Sequence, residues 1–274
     1  MHYQHRYHAG NFADVFKHVL LCGLLEALSR KPAPWGYLET HAGTGSYDLG
    51  DDAAQRTGEW GDGIGKLWRP EVLATLPESF AGALRALNPD GPLRHYPGSP
   101  LLAQGIARDD DRIVLCERQA PVVAELRAHF AADARVAIHQ RDGYEAYALL
   151  PPEQKRGVVL IDPPFERPDE FDAAADFVER AAARFAHGVY AFWHPVKNRH
   201  AAERGARRFG AGLGRERLRI AFDTGAPLAG RMYGCGMVIL NPPFGFAQAC
   251  EPWLRTLVRE LSQGPRAGFT CEPG

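Results

Sequence analysis

Apolar positions along this chain follow two rhythms in turn, one with the period of a helix and one nearly unbroken. Phe12, Val15, Phe16, Val19, Leu20 and Leu24 recur at helical spacing behind Asn11, a good helix-capping residue. A first helix is therefore expected from 11 to about 30, closed by Pro32 and Pro34. Residues 35–40 read as the first strand, and 112–117, 135–140, 157–162, 188–193, 217–222 and 235–241 as six more. Helical segments separate most of them, a basic helix follows the fifth strand, and a last helix is expected from about 245 to 262. Solidly apolar strands alternating with helices predict an α/β fold, a mostly parallel seven-stranded sheet covered on both faces. Residues 50–97 loosen this pattern and read as a small helical insertion within a single domain of residues 1–274. Residues 263–274 read as a loose tail.

The length of 274 residues suits such a domain, and 45% hydrophobic with 24% charged residues is an ordinary globular composition. No run approaches ~18 apolar residues, so a spanning helix is excluded. The opening residues lack the apolar core of a secretory signal. Five cysteines without CxxC spacing fit reduced thiols and a cytoplasmic protein. With no apolar helix face left over, a monomer is expected. The net charge of −1 hides an uneven distribution. Between His194 and Arg231 stand nine Lys or Arg against Glu203, Glu216 and Asp223, which fits either a nucleic-acid surface or a solvated helix.

Chemistry-bearing residues gather where the strands end. The first strand runs into Glu39-Thr40-His41-Ala42-Gly43-Thr44-Gly45, whose small residues allow a tight turn and a close approach to a ligand. Glu117 ends the second strand, where a carboxylate can accept from both hydroxyls of a ribose. Asp142-Gly143 follow the third, within reach of an adenine amino group or of a neighbouring backbone turn. Asp162-Pro163-Pro164-Phe165 follow the fourth. There a carboxylate and the Pro163 carbonyl can both accept from one exocyclic NH2, and an aromatic ring offers a stacking face. One polar group per strand end predicts a nucleoside-containing cofactor. A nicotinamide dehydrogenase fits poorly, because its ribose-binding acid should follow the glycine turn by about 20 residues, far short of Glu117.

The order of these motifs resembles S-adenosylmethionine-dependent amino-methyltransferases of the Rossmann-like class. The segments YQHRYHAGNFADVFKH, YLETHAGTGSYDL, YPGSPLLA, LCE and RDGYE together resemble the RlmJ family of 23S ribosomal RNA adenine-N6 methyltransferases, over nearly the whole chain. The resemblance implies that Asp162 is the catalytic acceptor and that Phe165 stacks on the target adenine. It implies that His18, His41, Ser99, Glu117, Asp142 and Gly143 hold S-adenosylmethionine, and that Tyr3, with Lys17, contacts 23S rRNA. Phe165 departs from the commoner Tyr of this motif class, which keeps stacking and removes any hydroxyl role. DNA adenine methylation and an inactive RNA-binding module are the alternatives.

Three features lie outside that assignment. His2, His5 and His8 have a spacing that could ligate a metal, but no cysteine or acidic cluster accompanies them, so no metal is expected. A flexible histidine-rich arm touching RNA is the expected use. Asn241-Pro242-Pro243-Phe244, after the last strand, is expected to shape the pocket. His194, Pro195 and Lys197 either face substrate or form a plain strand-to-helix turn.

Overall fold

The computed structural model describes residues 5–225 and 232–274, so Tyr3, His2 and Arg231 lie outside the described residues. The first helix, α1 (Phe12–Ser29), starts where Asn11 accepts hydrogen bonds from the Ala13 and Asp14 amides. It is buried on nearly every side, Asp14, Lys17 and His18 included, rather than on the one face its apolar spacing predicts. β1 (Gly36–Glu39) follows, then β2 (Ser46–Asp48), α2 (Asp52–Thr57), α3 (Ile64–Leu67), α4 (Pro70–Leu73), α5 (Glu78–Leu87) and β3 (His95–Pro97). The regular alternation is α6 (Ser99–Ile106), β4 (Arg112–Glu117), α7 (Ala120–Phe130), β5 (Val136–Gln140), β6 (Gly157–Ile161), α8 (Glu170–Arg184), β7 (Val189–Val196) and α9 (Arg199–Arg208). β8 (Arg217–Asp223), β9 (Gly234–Leu240), α10 (Phe246–Leu261) and β10 (Gly268–Pro273) complete the chain.

The main sheet has the order β10-β8-β9-β7-β6-β1-β4-β5. From β7 to β5 all neighbours are parallel, while β9 runs against both β7 and β8. The α/β class and the parallel core are those expected, with every predicted strand present. The sheet gains an eighth strand, because residues 268–273 are not a loose tail but pair antiparallel with β8. Their low apolar content hid them: an edge strand needs only one covered face.

Alternate residues of the central strands feed two cores. Tyr37, Val158, Leu160 and Ala191 join α1, α5, α6 and α10 on one face, whereas Leu38, Val159, Ile161, Tyr190 and Phe192 join α8 and α9 on the other. The insertion contributes Ile64, Leu67, Val72, Phe80 and Leu84 to the first of these cores. It is not purely helical, since its last residues form β3, which pairs antiparallel with β2 just before the insertion as a separate two-stranded sheet. The segment between β5 and β6 is a short 3₁₀ helix, Gly143–Leu149, capped by Asp142.

Candidate active site

The parallel strands place Glu39, Glu117, Gln140 and Ile161 at one edge of the sheet, so the turns after them converge there. Asp162 is the first residue past β6, beside the turn that follows β1. Its Oδ2 accepts from Lys17 Nζ at 2.6 Å. Lys17 also pairs with Asp14 Oδ1 at 2.8 Å, which places one ammonium between two carboxylates. Desolvation alone would lower the Lys17 pKa, but Asp14 and Asp162 outweigh it and hold the ammonium charged well above its ordinary range.

Asp14 is the hub of this cluster. Its Oδ2 accepts from the Gly10 amide at 2.9 Å and meets His5 Nε2 at 3.2 Å, and its Oδ1 lies 3.6 Å from His18 Nε2. Burial would raise the Asp14 pKa, yet His18, Lys17 and His5 hold it well below the usual carboxylate range. His18 itself is driven down to about 3, mainly by burial, and is neutral. Its Nδ1 lies 2.8 Å from the Tyr96 hydroxyl, while Nε2 is buried without a hydrogen-bond partner among the described residues. Asp14 was not among the predicted site residues. The signal was present, since positions 14, 17 and 18 are polar at helical spacing in an otherwise apolar helix.

Ser99, at the start of α6, donates to Glu39 Oε1, and the Tyr37 hydroxyl donates to Oε2 at 2.9 Å. Burial pushes the Glu39 carboxyl up to about 8. Glu39 is thus a second participant that the strand-end pattern marked only as the start of the turn.

A second grouping surrounds that turn. Gly43 and Gly45 have φ of 65° and 86°, a conformation open to glycine at little cost. The Gly43 amide donates to Glu117 Oε2 at 3.1 Å, and Glu117 Oε1 accepts from the Arg118 and Gln119 amides. Asp142 accepts from the Tyr144 amide and lies 3.8 Å from Arg118. A Cβ on Gly143 would sit 2.1 Å from the Thr40 carbonyl oxygen, so only glycine lets this loop close on the turn. His41 bonds Thr40 Oγ1 through Nδ1 at 2.7 Å and meets the Tyr144 ring edge-on at 5.4 Å. Burial lowers its pKa.

Pro163 is buried, and Phe165 is half-buried with φ of 51°, unusual for a residue with a side chain. The Phe165 ring packs against Phe171 at 5.2 Å and against Phe192 and Trp193 at 6.1 Å.

A family model described as "Ribosomal RNA large subunit methyltransferase D, RlmJ" matches residues 32–270. The chain belongs to the RlmJ family. It is 37% identical to the ribosomal RNA large subunit methyltransferase J of Escherichia coli K12, over 93% of this chain and 92% of that one. It is 36% identical to the protein of the same name from Haemophilus influenzae, over 98% and 97%. Its fold is similar to the crystal structure of protein LPL1258 from Legionella pneumophila, with a TM-score of 0.88 and 33% identity over 97% and 98% of the two chains.

Three expectations are corrected by the structure. His194 and Pro195 do not form a strand-to-helix turn, because β7 continues to Val196 and pairs with β9 there. β6 stops pairing at Phe192, so the missing Pro195 N–H costs the sheet no bond on that side. His194 is buried, with its pKa lowered to about 4 by desolvation. His5 and His8 are not a free arm: they meet Asp14 and Glu59, the latter at 3.0 Å. Asn241-Pro242-Pro243-Phe244 lies at the opposite edge of the sheet, because β9 runs antiparallel to β6 and β7. It cannot shape the pocket around Asp162.

Proposed function

We propose that this protein transfers a methyl group from S-adenosylmethionine to the exocyclic N6 of an adenine in 23S ribosomal RNA. The observation that carries the reading is Asp162 at the end of β6, with Oδ2 fixed by Lys17, two prolines behind it and an aromatic ring beside it. The cofactor, when bound, supplies a methyl group made electrophilic by its sulfonium. The residues present fit it. Glu117 is a carboxylate fixed by three backbone amides beside a glycine turn, as a ribose requires. His18 Nε2, buried and unpartnered among the described residues, and Ser99 suit its polar tail, while His41, Asp142 and Gly143 line the turn next to Glu117.

The target adenine leaves its stack at a cost of a few kcal/mol, of which Phe165 returns roughly 1–3 kcal/mol by stacking. Lys17 occupies Asp162 Oδ2, which leaves Oδ1 for one N6 proton and the Pro163 carbonyl for the other. Accepting both protons turns the nitrogen lone pair out of conjugation and toward the methyl group. Adenine N6 is scarcely basic, so its proton leaves after attack, to solvent, once the nitrogen has become cationic. Asp162 orients the amine and stabilises the positive charge that develops on it. Lys17 holds that carboxylate in place through its other oxygen. Tyr3 is assigned to the RNA by family resemblance alone.

The test is methyl transfer from labelled S-adenosylmethionine to protein-free 23S rRNA, beside duplex DNA and the Asp162→Ala variant. Label in N6-methyladenosine of the RNA, lost in the variant while cofactor binding persists, is the expected result. Label in DNA only, or near-normal turnover in Asp162→Ala, overturns the assignment.

A further inference from the structure

Phe244 is 103% exposed and is the one large hydrophobic side chain fully in solvent among the described residues. Its support is firm. Asn241, in the left-handed conformation at φ 54°, donates through Nδ2 to the Ala186 and Gly188 carbonyls at 3.1 and 2.8 Å. The Asn241 amide donates to the Glu216 carbonyl at 2.9 Å, and the Phe246 amide closes on the Pro243 carbonyl at 2.9 Å. Two prolines stiffen the remainder. This loop therefore holds a bare aromatic ring out in water.

The surroundings of that ring are cationic. Arg217 pairs in register with Leu240, and its Nη1 donates to the Arg207 and Phe209 carbonyls at 2.8 and 3.2 Å. The end of α9, the start of β8 and the Phe244 loop therefore meet at one corner. Arg204, Arg207 and Arg215 are exposed and form no ion pair among the described residues, whereas Arg208 is neutralised by Asp172. Glu203 and Glu216 are the acids on this surface. On α9, His200, Arg204 and Arg207 share the face opposite the buried Ala202, Gly205 and Ala206. The helix begins beside the end of β7, on the Asp162 edge, and descends about 15 Å to the Phe244 corner.

Exposed guanidinium groups leading to a solvent-facing aromatic ring match a single-stranded nucleic acid, whose phosphates need cations and whose bases stack on any π face. A protein partner would want contiguous apolar surface, and Pro242 and Pro243 beside Phe244 are half-buried. We propose that Phe244 with Arg204, Arg207 and Arg215 is a second RNA contact, remote from Asp162, in which Phe244 stacks on an unpaired base of the substrate. This rests on the RNA-methyltransferase reading, and its test separates the two.

Full-length protein is titrated against a fluorescein-labelled single-stranded oligoadenylate of about 12 nucleotides, a duplex of equal length, and a 23S transcript. Phe244→Ala should weaken single-strand binding roughly 5- to 50-fold with little effect on the duplex, and Phe244→Trp should restore it. Arg204→Gln, Arg207→Gln and Arg215→Gln together should reduce the salt slope by about 2. On the transcript, Phe244→Ala should raise KM for RNA and leave kcat at saturating RNA unchanged. Unchanged RNA affinity in both variants overturns the proposal. So does an altered sedimentation coefficient in Phe244→Ala with RNA affinity retained, which would make the corner a protein contact. Phe244-dependent RNA binding without methylation of the transcript would sustain this contact and remove the 23S assignment.

Discussion

Glu39 and His18 are both sealed from solvent, and burial moves their proton affinities in opposite directions. Glu39 keeps its proton in the fold up to about pH 8, whereas the unfolded chain releases it near 4.5. Its contribution is therefore complete below pH 4.5 and is lost as pH rises toward 8. Glu39→Gln should remove that decline, seen as a flatter melting temperature between pH 5 and 8. His18 resists protonation down to about 3 while the unfolded chain takes a proton near 6.5. Its contribution is present above 6.5 and falls with acidification by up to about 1.4 kcal/mol per pH unit. Acid melts of His18→Gln should show a shallower loss over that window. Lys17→Met leaves the buried Asp14 without its lysine and frees Asp162 Oδ2. A stability loss of about 3–5 kcal/mol in urea melts is expected, together with loss of methyl transfer.

At the scale of elements, the helix and parallel-strand patterns were legible because each is written locally, the helix in its apolar period and the strands in nearly unbroken apolar runs. Residues 35–40 and 157–162 announce β1 and β6 in this way. β10 was not legible, because Phe269 and Cys271 are its only sizeable apolar residues and their partner strand lies some fifty residues earlier. Removal of residues 268–274 should expose the β8 edge and cost at least about 2 kcal/mol, roughly 4–8 °C in melting temperature. Size-exclusion chromatography of that truncation should also reveal self-association, and a monodisperse, equally stable product would contradict the edge-cover role of β10. β7 shows the complementary case. The proline in its sequence reads as a stop, but β6 has already ended there, so the strand continues.

At the scale of the molecule, the two groupings of site residues meet at β1 and the turn after it. Lys17, His18, Ser99 and Asp162 gather on one side, and His41, Glu117, Asp142 and Gly143 on the other. A ligand spanning both should stabilise the whole fold. S-adenosylhomocysteine at about 100 times its Kd should add about 2.7 kcal/mol, some 5–10 °C in a thermal-shift assay. Glu117→Ala should lose most of that shift while melting normally without ligand. An equal shift in the variant would move the ribose site elsewhere. No described helix is long and apolar enough to cross a membrane.

The sequence by itself determined the α/β class, the order of the elements and the list of polar groups at the strand ends, because these depend on local periodicity and on what directly follows each strand. The tertiary structure alone decided which of those groups meet. Lys17 and Asp162 are 145 residues apart and touch at 2.6 Å, and no local pattern encodes that distance. Strand direction decided the rest. Asp162-Pro163-Pro164-Phe165 and Asn241-Pro242-Pro243-Phe244 read almost alike, but β6 is parallel to its neighbours and β9 is antiparallel. One motif therefore opens onto the edge where β1, β4 and β5 also end, and the other carries Phe244 to the far corner of the sheet.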